Sequence, residues 1–298
     1  MRERRLRPPG PLDLTLTLGR LRHGRQDPCL RLGSGTAWRA TRTSAGAATL
    51  ALTAEGGEIA AQAWGPGADA ALEQLPELLG FDDDPTGFGP APGLVRDLHR
   101  RRPGLRLGRT AAVVETLVPT VVAQRVTGVE AARSYGSLVR RHGEPAPGPC
   151  GLLVPPAPDV LAALPYWAFH RCGIEQRRAE TIRRVAARAS RLEAATALAP
   201  GEATLLLTAV PGIGAWSAAK VAQAALGDRD AVCVGDYNLP HLVGWALAGE
   251  RRATDERMLE LLAPYQGQRA RVVRLLELSG RYPPRRAPRA ALRSFADW

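Results

Sequence analysis

Several features are scarce or missing in this 298-residue sequence. No apolar run approaches the roughly 18 residues of a membrane span, and no apolar stretch follows the first arginines as it would in a signal peptide. The four cysteines lie far apart without a C-x-x-C pair, so neither a compact metal cage nor a disulfide framework is indicated. We therefore expect a cytoplasmic protein with reduced cysteines and no membrane association.

Lysine is almost absent from the chain. Lys220 is the only one, and the other 39 of the 40 basic residues are arginine. Any mechanism that needs a lysine amine therefore has a single candidate. Against 29 acidic residues, the basic residues leave a formal net charge of +11. Such an excess favours a polyanionic partner such as nucleic acid, although solvated basic faces are also common.

The patterning divides the chain into a β-rich part and a helical part. The alternating runs LDLTLTL and ATLALTA and the turn EGGE predict strands in residues 12–64, and DAALEQLPELLG predicts a short helix. Residues 81–93 are dense in turn formers and predict a boundary, and apolar residues recur four apart from Gly104 onward. The expected fold class is α+β, with a β-rich domain over residues 1–92, an all-α region over 93–280 and a basic tail over 281–298.

The stretch LLTAVPGIGAWSAAK sets a Pro-Gly-Ile-Gly turn between two apolar runs that predict helices. The first helix must stop at Val210, because the residue before proline is pushed out of helical geometry, and the second begins near Ala215. Gly212 and Gly214 permit backbone conformations denied to other residues and leave amide N–H groups bare at a helix N-terminus. This predicts an anion site. A helix corner that needs glycine only for steric reasons is the alternative.

The hairpin is followed by Trp216, Ser217 and Ala218, and Asp236 comes after the second helix in VGDYNLPHL. This combination resembles the signature of the helix-hairpin-helix DNA glycosylase superfamily. From about Pro103 to Gly280 the sequence looks like the 3-methyladenine glycosylase II branch, and the β-rich first ninety residues look like that branch's extra N-terminal domain. The resemblance implies a glycosylase fold and a monomeric, nucleoid-associated enzyme of base excision repair. Such an enzyme flips an alkylated base out of double-stranded DNA and hydrolyses its C1′–N bond.

The resemblance also implies a catalytic centre. Asp236 would stabilise the positive charge that builds on the sugar and would help to orient the attacking water, as an ionised carboxylate can. The alternative is that Asp236 only caps the helix that follows it. Trp216, Tyr237 and Lys220 occupy positions that resemble the family's base pocket, where a flipped base needs a stacking surface. For the two aromatic residues, ordinary core packing is the alternative.

Gln124 and Arg125 end the apolar stripe of the first long helix with two polar side chains. The resemblance gives the residues around them the job of filling the gap that the flipped nucleotide leaves in the duplex. Where the family's best-known members have an apolar residue, this chain has Arg125, whose guanidinium plane could wedge into the stack and grip a phosphate. A solvated helix end is the alternative.

The hairpin itself is implied to make two kinds of contact. Its residues would hold the DNA backbone, and these are Gly212, Ile213, Gly214 and Ala215. Three of its backbone carbonyls would hold a monovalent cation, namely those of Thr208, Val210 and Ile213. No other cofactor is implied.

The chain departs from the family pattern at several positions. Members that also cut the DNA backbone carry a lysine where this chain has Trp216, so a Schiff-base lyase lacks its usual nucleophile. No cysteine follows Cys233, so no iron–sulfur cluster is expected. Lys220 stands where relatives can carry an aromatic pocket residue, and RARVVRLLELSG lacks an expected pocket tryptophan. Because a cation at position 220 would repel a positively charged methylpurine, a neutral lesion such as hypoxanthine stays open as the substrate.

Two other functions also stay open. The protein could recognise damaged DNA, or shape DNA, through the hairpin, Arg125 and the basic tail without cleaving a bond. It could also be a lyase that uses Lys220 as its nucleophile. Trp167, His170 and His241 are interpreted as packing or surface residues.

Overall fold

The computed structural model describes residues 1–284, so most of the predicted basic tail, residues 285–298, lies outside the described residues. The strands are β1 (Arg2–Leu6), β2 (Leu30–Gly33), β3 (Thr36–Thr43), β4 (Gly46–Glu55), β5 (Glu58–Trp64), β6 (Glu144–Pro145) and β7 (Leu153–Val154). The α-helices are α1 (Leu14–Leu18), α2 (Ala68–Glu73), α3 (Leu75–Leu78), α4 (Leu94–Arg100), α5 (Val113–Val122), α6 (Gly128–His142), α7 (Pro158–Ala163), α8 (Tyr166–His170), α9 (Gln176–Ala186), α10 (Ala189–Glu193), α11 (Pro200–Thr208), α12 (Ala215–Val221), α13 (Leu239–Ala248), α14 (Asp255–Leu262) and α15 (Arg269–Ser279). The α+β fold class is confirmed, with one short two-stranded sheet, β6 and β7, inside the region predicted to be all-α.

The N-terminal part is an antiparallel sheet with the strand order β1-β5-β4-β3-β2. β4 and β5 form a hairpin in which Glu55 pairs with Glu58 across a two-residue turn. Both turn residues, Gly56 and Gly57, have positive φ, which is the geometry that tight hairpins favour and that glycine adopts without strain. The predicted EGGE turn and the strand at ATLALTA are therefore confirmed.

The prediction of a strand at LDLTLTL is wrong, because this run contains the helix α1. The side chain of Asp13 caps the helix by accepting a hydrogen bond from the backbone N–H of Leu16, at 2.9 Å. Leu14, Thr17 and Leu18 are buried, and their spacing of three and four is helical. Leu14 and Leu18 pack with α2 and α3 in the core of the sheet.

The helical part contains two hydrophobic cores, and α12 lies between them. One core is built chiefly from α5, α6, α9 and α11, and the other from α4, α13, α14 and α15. From α12, Ala218 and Val221 belong to the first core, whereas Trp216 and Ala219 pack against the second. The helix that follows the hairpin therefore presents its Trp216 face to α13 and α15.

The turn-rich segment 81–93 is fastened to the second core by a buried ion pair. Asp83 and Arg271 are both fully buried and are bonded to each other, and Asp83 also pairs with Arg229 Nε at 3.0 Å. Its other carboxylate oxygen accepts the backbone N–H of Leu107 at 2.7 Å. The segment has no helix or strand between Leu78 and Leu94, as its turn formers predict, yet it is held firmly in place.

The helices are short, and the longest, α6, has 15 residues. Across residues 1–284, none of them combines the length and the apolar character that crossing a membrane requires.

Candidate functional site

The predicted hairpin joins α11 to α12. α11 ends at Thr208, two residues before the predicted stop, and α12 begins at Ala215 as predicted. Between them, the backbone N–H of Ile213 donates to the carbonyl of Val210 at 2.9 Å and closes the turn. Ile213 is buried in the first helical core, so its side chain and its amide serve the hairpin itself. A DNA contact at Ile213 would therefore have to use something other than its N–H.

The two hairpin glycines have different reasons to be glycine. Gly212 has a φ of 98°, and a Cβ built on it would lie 2.2 Å from the hydroxyl of Thr181 on α9. Gly214 is extended, with a φ of −104°, and a Cβ there would meet nothing within 4 Å. The prediction of a special backbone conformation is thus confirmed for Gly212 and wrong for Gly214. At Gly214 the missing side chain leaves the exposed backbone open to a partner.

Gln124 connects the end of α5 to this hairpin. Its side-chain amide donates to the carbonyl of Gly212 at 2.9 Å and to the hydroxyl of Ser217 at 3.0 Å. The buried Arg178 of α9 reinforces the same junction, because its guanidinium donates to the carbonyl of Val122 at 2.7 Å. The predicted gap-filling residue Gln124 is therefore fastened beside the hairpin.

Arg125 follows directly and is exposed. Its φ is 57°, and within residues 1–284 only Ala111 shares such a positive φ among residues other than glycine. The left-handed region is costly for a side chain with a Cβ, and such strain is often found at functional positions. On the far side of Arg125, Thr127 and Glu130 form a capping box at the start of α6. Firm structure on both sides thus holds the strained residue.

Asp236 precedes α13 and is held at both carboxylate oxygens. Oδ1 accepts the backbone N–H groups of Asn238 and Leu239 at 2.9 and 3.0 Å, which is a capping contact. Oδ2 accepts the indole N–H of Trp216 at 2.9 Å. A carboxylate can accept about four hydrogen bonds, so one lone pair of Oδ2 is left over by these three. The capping alternative is thus observed, and it is compatible with a catalytic role.

Lys220 lies one turn beyond Trp216 on α12, and its ammonium nitrogen is 5.9 Å from the centre of the indole ring. Burial by itself would lower the pKa of Lys220, but Cys233, Glu277 and Asp236 outweigh that effect and raise the pKa. The side chain is therefore an ammonium ion at neutral pH. The residues predicted to line a base pocket, Trp216 and Lys220, are brought together with Asp236.

A cavity of about 200 Å³ adjoins this group, and Lys220, Cys233, Leu239, Arg274 and Glu277 are part of its lining. Arg274 and Glu277 form an ion pair of 3.2 Å on α15. This pair stands on the helix from which the expected tryptophan is missing. Burial raises the pKa of the Cys233 thiol to about 11, so the thiol is neutral at physiological pH. Glu277 was not predicted as a site residue, although its i,i+3 spacing from Arg274 among the leucines of α15 was a signal.

Tyr237 follows Asp236 but faces solvent. Its side chain is 85% exposed, and its ring meets His241 edge-on at 6.2 Å between centroids. The predicted pocket residue Tyr237 therefore presents its ring to solvent and does not line an enclosed pocket. Trp167 is likewise 60% exposed, and His241 accepts the N–H of Ala253 at 3.2 Å, in line with the surface and packing interpretations of these two residues.

A larger cavity of about 500 Å³ lies elsewhere, between the ends of β3 and α5. Two carboxylates line it, but both already have partners. Glu115 pairs with Arg39 at 2.7 Å, and Glu193 caps α5 by accepting the N–H groups of Val113 and Val114 at 2.9 Å each. The candidate site is therefore centred on Asp236, and the smaller cavity adjoins it through Lys220 and Leu239.

No protein-family model matches the sequence. Over 169 residues the chain is 31% identical to a probable bifunctional transcriptional activator/DNA repair enzyme AlkA of Mycobacterium tuberculosis, an alignment that covers 54% of this chain and 34% of that protein. The chain thus matches about a third of the length of its curated relatives.

Solved structures match over almost the whole chain. A 3-methyladenine DNA glycosylase from Archaeoglobus fulgidus has a TM-score of 0.78 at 22% identity, covering 93% of this chain and 98% of that one. An 8-oxoguanine glycosylase/lyase from Clostridium acetobutylicum has a TM-score of 0.71 at 12% identity, covering 93% and 96%. These likenesses confirm the fold that the resemblance implied. The chain therefore shares the fold of these DNA glycosylase structures.

Proposed function

We propose that this protein is a monofunctional DNA glycosylase of base excision repair, which hydrolyses the C1′–N bond of a damaged base. The observation that carries the proposal is the Asp236 carboxylate, which three N–H donors hold beside the hairpin while one lone pair of Oδ2 stays available. A carboxylate fixed in this way can stabilise the oxocarbenium-like sugar as the base leaves, and can orient the attacking water.

The target base must leave the duplex before Asp236 can reach its C1′ atom. Arg125, which is exposed and follows Gln124, would fill the gap that the flipped nucleotide leaves in the duplex. The open backbone at Gly214 and Ala215, at the start of α12, suits a DNA phosphate. With a net charge of +11, the protein should hold double-stranded DNA mainly through its phosphates, so its affinity should fall steeply with salt. We expect it to act as a monomer.

The proposed substrate is a purine alkylated in the manner of 3-methyladenine. The names of the relatives support this choice, since one is a DNA repair enzyme AlkA and another a 3-methyladenine DNA glycosylase. Lys220 raises the alternative of a neutral lesion such as hypoxanthine, because its ammonium group would repel a cationic base. Both classes therefore belong in one substrate panel.

The reaction should stop at base removal. Trp216 replaces the lysine of the bifunctional enzymes, and the raised pKa of Lys220 keeps its amine protonated and poorly nucleophilic. Borohydride should therefore trap no covalent complex with abasic DNA. Trapping that disappears in Lys220→Met would instead show a lyase.

We also propose that a monovalent cation binds the carbonyls of Thr208, Val210 and Ile213. Three carbonyl oxygens suit a hard cation, and the Val210 carbonyl, which accepts one hydrogen bond, keeps a second lone pair. Such an ion would supply positive charge to the hairpin next to a phosphate. Duplex affinity should then fall when potassium is replaced by tetramethylammonium at the same ionic strength.

A base-release assay tests the main proposal. Duplex oligonucleotides, each with one modified base, are incubated with the parent protein and with Asp236→Asn, and the free base is measured. Release by the parent alone supports the proposal. Tight binding of damaged duplexes without release of any base would favour the alternative of a damaged-DNA-binding protein.

A further inference from the structure

We infer that Trp216 is a positioning residue for Asp236 rather than the stacking platform for the flipped base. Its indole N–H donates to Oδ2 of Asp236 at 2.9 Å, and Oδ2 is the oxygen with the lone pair left for the reacting sugar or water. The inference rests on the proposed catalytic role of Asp236. In this inference, the Trp216 hydrogen bond sets the direction of the remaining Oδ2 lone pair.

The indole is itself held on two sides. It is half-buried and packs against the second helical core, and the ammonium of Lys220 lies near its ring at 5.9 Å. Trp216 is also the second residue of α12, directly after the turn that Gln124 fastens. The indole N–H that donates to Oδ2 is therefore fixed in both position and direction.

Removing that donor should leave the carboxylate in place but free its orientation. The backbone N–H groups of Asn238 and Leu239 bind only Oδ1, so Asp236 can still cap α13 without Trp216. Without the indole N–H, no protein donor among the described residues binds Oδ2. The carboxylate can then rotate about the Cβ–Cγ bond of Asp236 more freely. A ring with a bonded edge and a cation beside it is also poorly suited to receive a cationic base.

The test replaces Trp216 by phenylalanine, which keeps an aromatic ring but has no N–H. Trp38→Phe is the matched control, because Trp38 stacks on Trp64 in the sheet at 5.6 Å and undergoes the same chemical change. Single-turnover base release and the Kd for the same lesion duplex are measured for both variants. Trp216→Phe should lower release about 10- to 100-fold, the scale of one hydrogen bond to a charged group, with a Kd within about twofold of the parent. Trp38→Phe should change neither.

A double-variant cycle separates positioning from stacking. In the Asp236→Asn background, Trp216→Phe should cause little further loss, because the carboxylate through which it acts is gone. The same fold-loss in both backgrounds, or a weaker Kd with unchanged release, would show that Trp216 contacts the base and would overturn the inference. If Asp236→Asn releases bases at the parent rate, the proposed function itself fails.

A spectroscopic readout needs no activity. The indole N–H resonance of Trp216 is identified by its absence from the ¹⁵N–¹H spectrum of Trp216→Phe. In Asp236→Ala that resonance should move upfield by a clear margin, because a charged acceptor is lost, while the other indole resonances stay in place. An unmoved resonance would contradict the hydrogen bond and with it the inference.

Discussion

The two halves of the candidate site are built in opposite ways. On one side, the Asp236 carboxylate accepts three N–H donors from Trp216, Asn238 and Leu239. On the other, Arg125 is exposed and its backbone lies in the left-handed region at a φ of 57°. The half proposed for bond cleavage is complete without DNA, whereas the half proposed for the duplex presents a free side chain on a strained backbone.

The contrast follows from what each half must do. Electrostatic stabilisation works best when its dipoles are already oriented, because no energy is then spent on turning them during the reaction. A side chain that inserts into a base stack must instead project from the protein surface. Holding Arg125 in this conformation costs of the order of 1–3 kcal/mol, and the bonds of Gln124 and Thr127 on either side help to offset that cost.

Replacing Asp236 by asparagine should have the largest effect on the prebuilt half. Asparagine keeps the size and much of the capping ability of aspartate but lacks its negative charge, so the variant should fold and bind duplex DNA nearly normally. Base release should fall about a hundredfold or more, the scale of removing one preorganised stabilising group. The loss should be smallest for a cationic alkylpurine and largest for a neutral base. Release of every base at the parent rate would reduce Asp236 to a helix cap.

Features of this protein that depend on local contacts can be predicted from its sequence. The beginning of α12 at Ala215 follows from a proline and two glycines within a few residues, and the capping contact of Asp236 spans only two or three. Even local patterns can mislead when they are short: the five residues of α1 alternate like a strand, and burial against the sheet decides between the two.

The contacts that could not be predicted from the sequence join distant segments. Trp216 and Asp236 are 20 residues apart, and their bond depends on how α12 meets the start of α13. Gln124 and Gly212 are 88 residues apart. No spacing rule connects such pairs, because helix packing sets their approach. The hairpin and the catalytic candidate were thus within reach of the sequence, whereas the bonds that orient them were not.

Gly212→Ala tests whether both halves of the site depend on the contact between Gln124 and the hairpin. Gly212 lies in the hairpin, and its carbonyl accepts the hydrogen bond from Gln124. A methyl group there would meet Thr181 at 2.2 Å, and the positive φ would be strained. We expect the free energy of unfolding to fall by about 1–3 kcal/mol and duplex affinity to fall with it. Gly214→Ala is the control, since its Cβ has open space and its φ is ordinary. Equal losses of stability in a denaturant titration would contradict the assigned roles.

The smallest expected effect concerns the strained half. Arg125→Ala removes the guanidinium but keeps a Cβ at the strained position, whereas Arg125→Gly removes both the side chain and the strain. Both variants should lose about three- to fivefold in base release from duplex DNA, which corresponds to about 0.5–1 kcal/mol for a cation against an exposed aromatic face. Single-stranded substrates should be affected less, because they have no gap to fill. Only the glycine variant should gain stability, by about 1 kcal/mol. Equal losses on both kinds of DNA would make Arg125 a simple phosphate contact, and the strain would then serve only to place a charge.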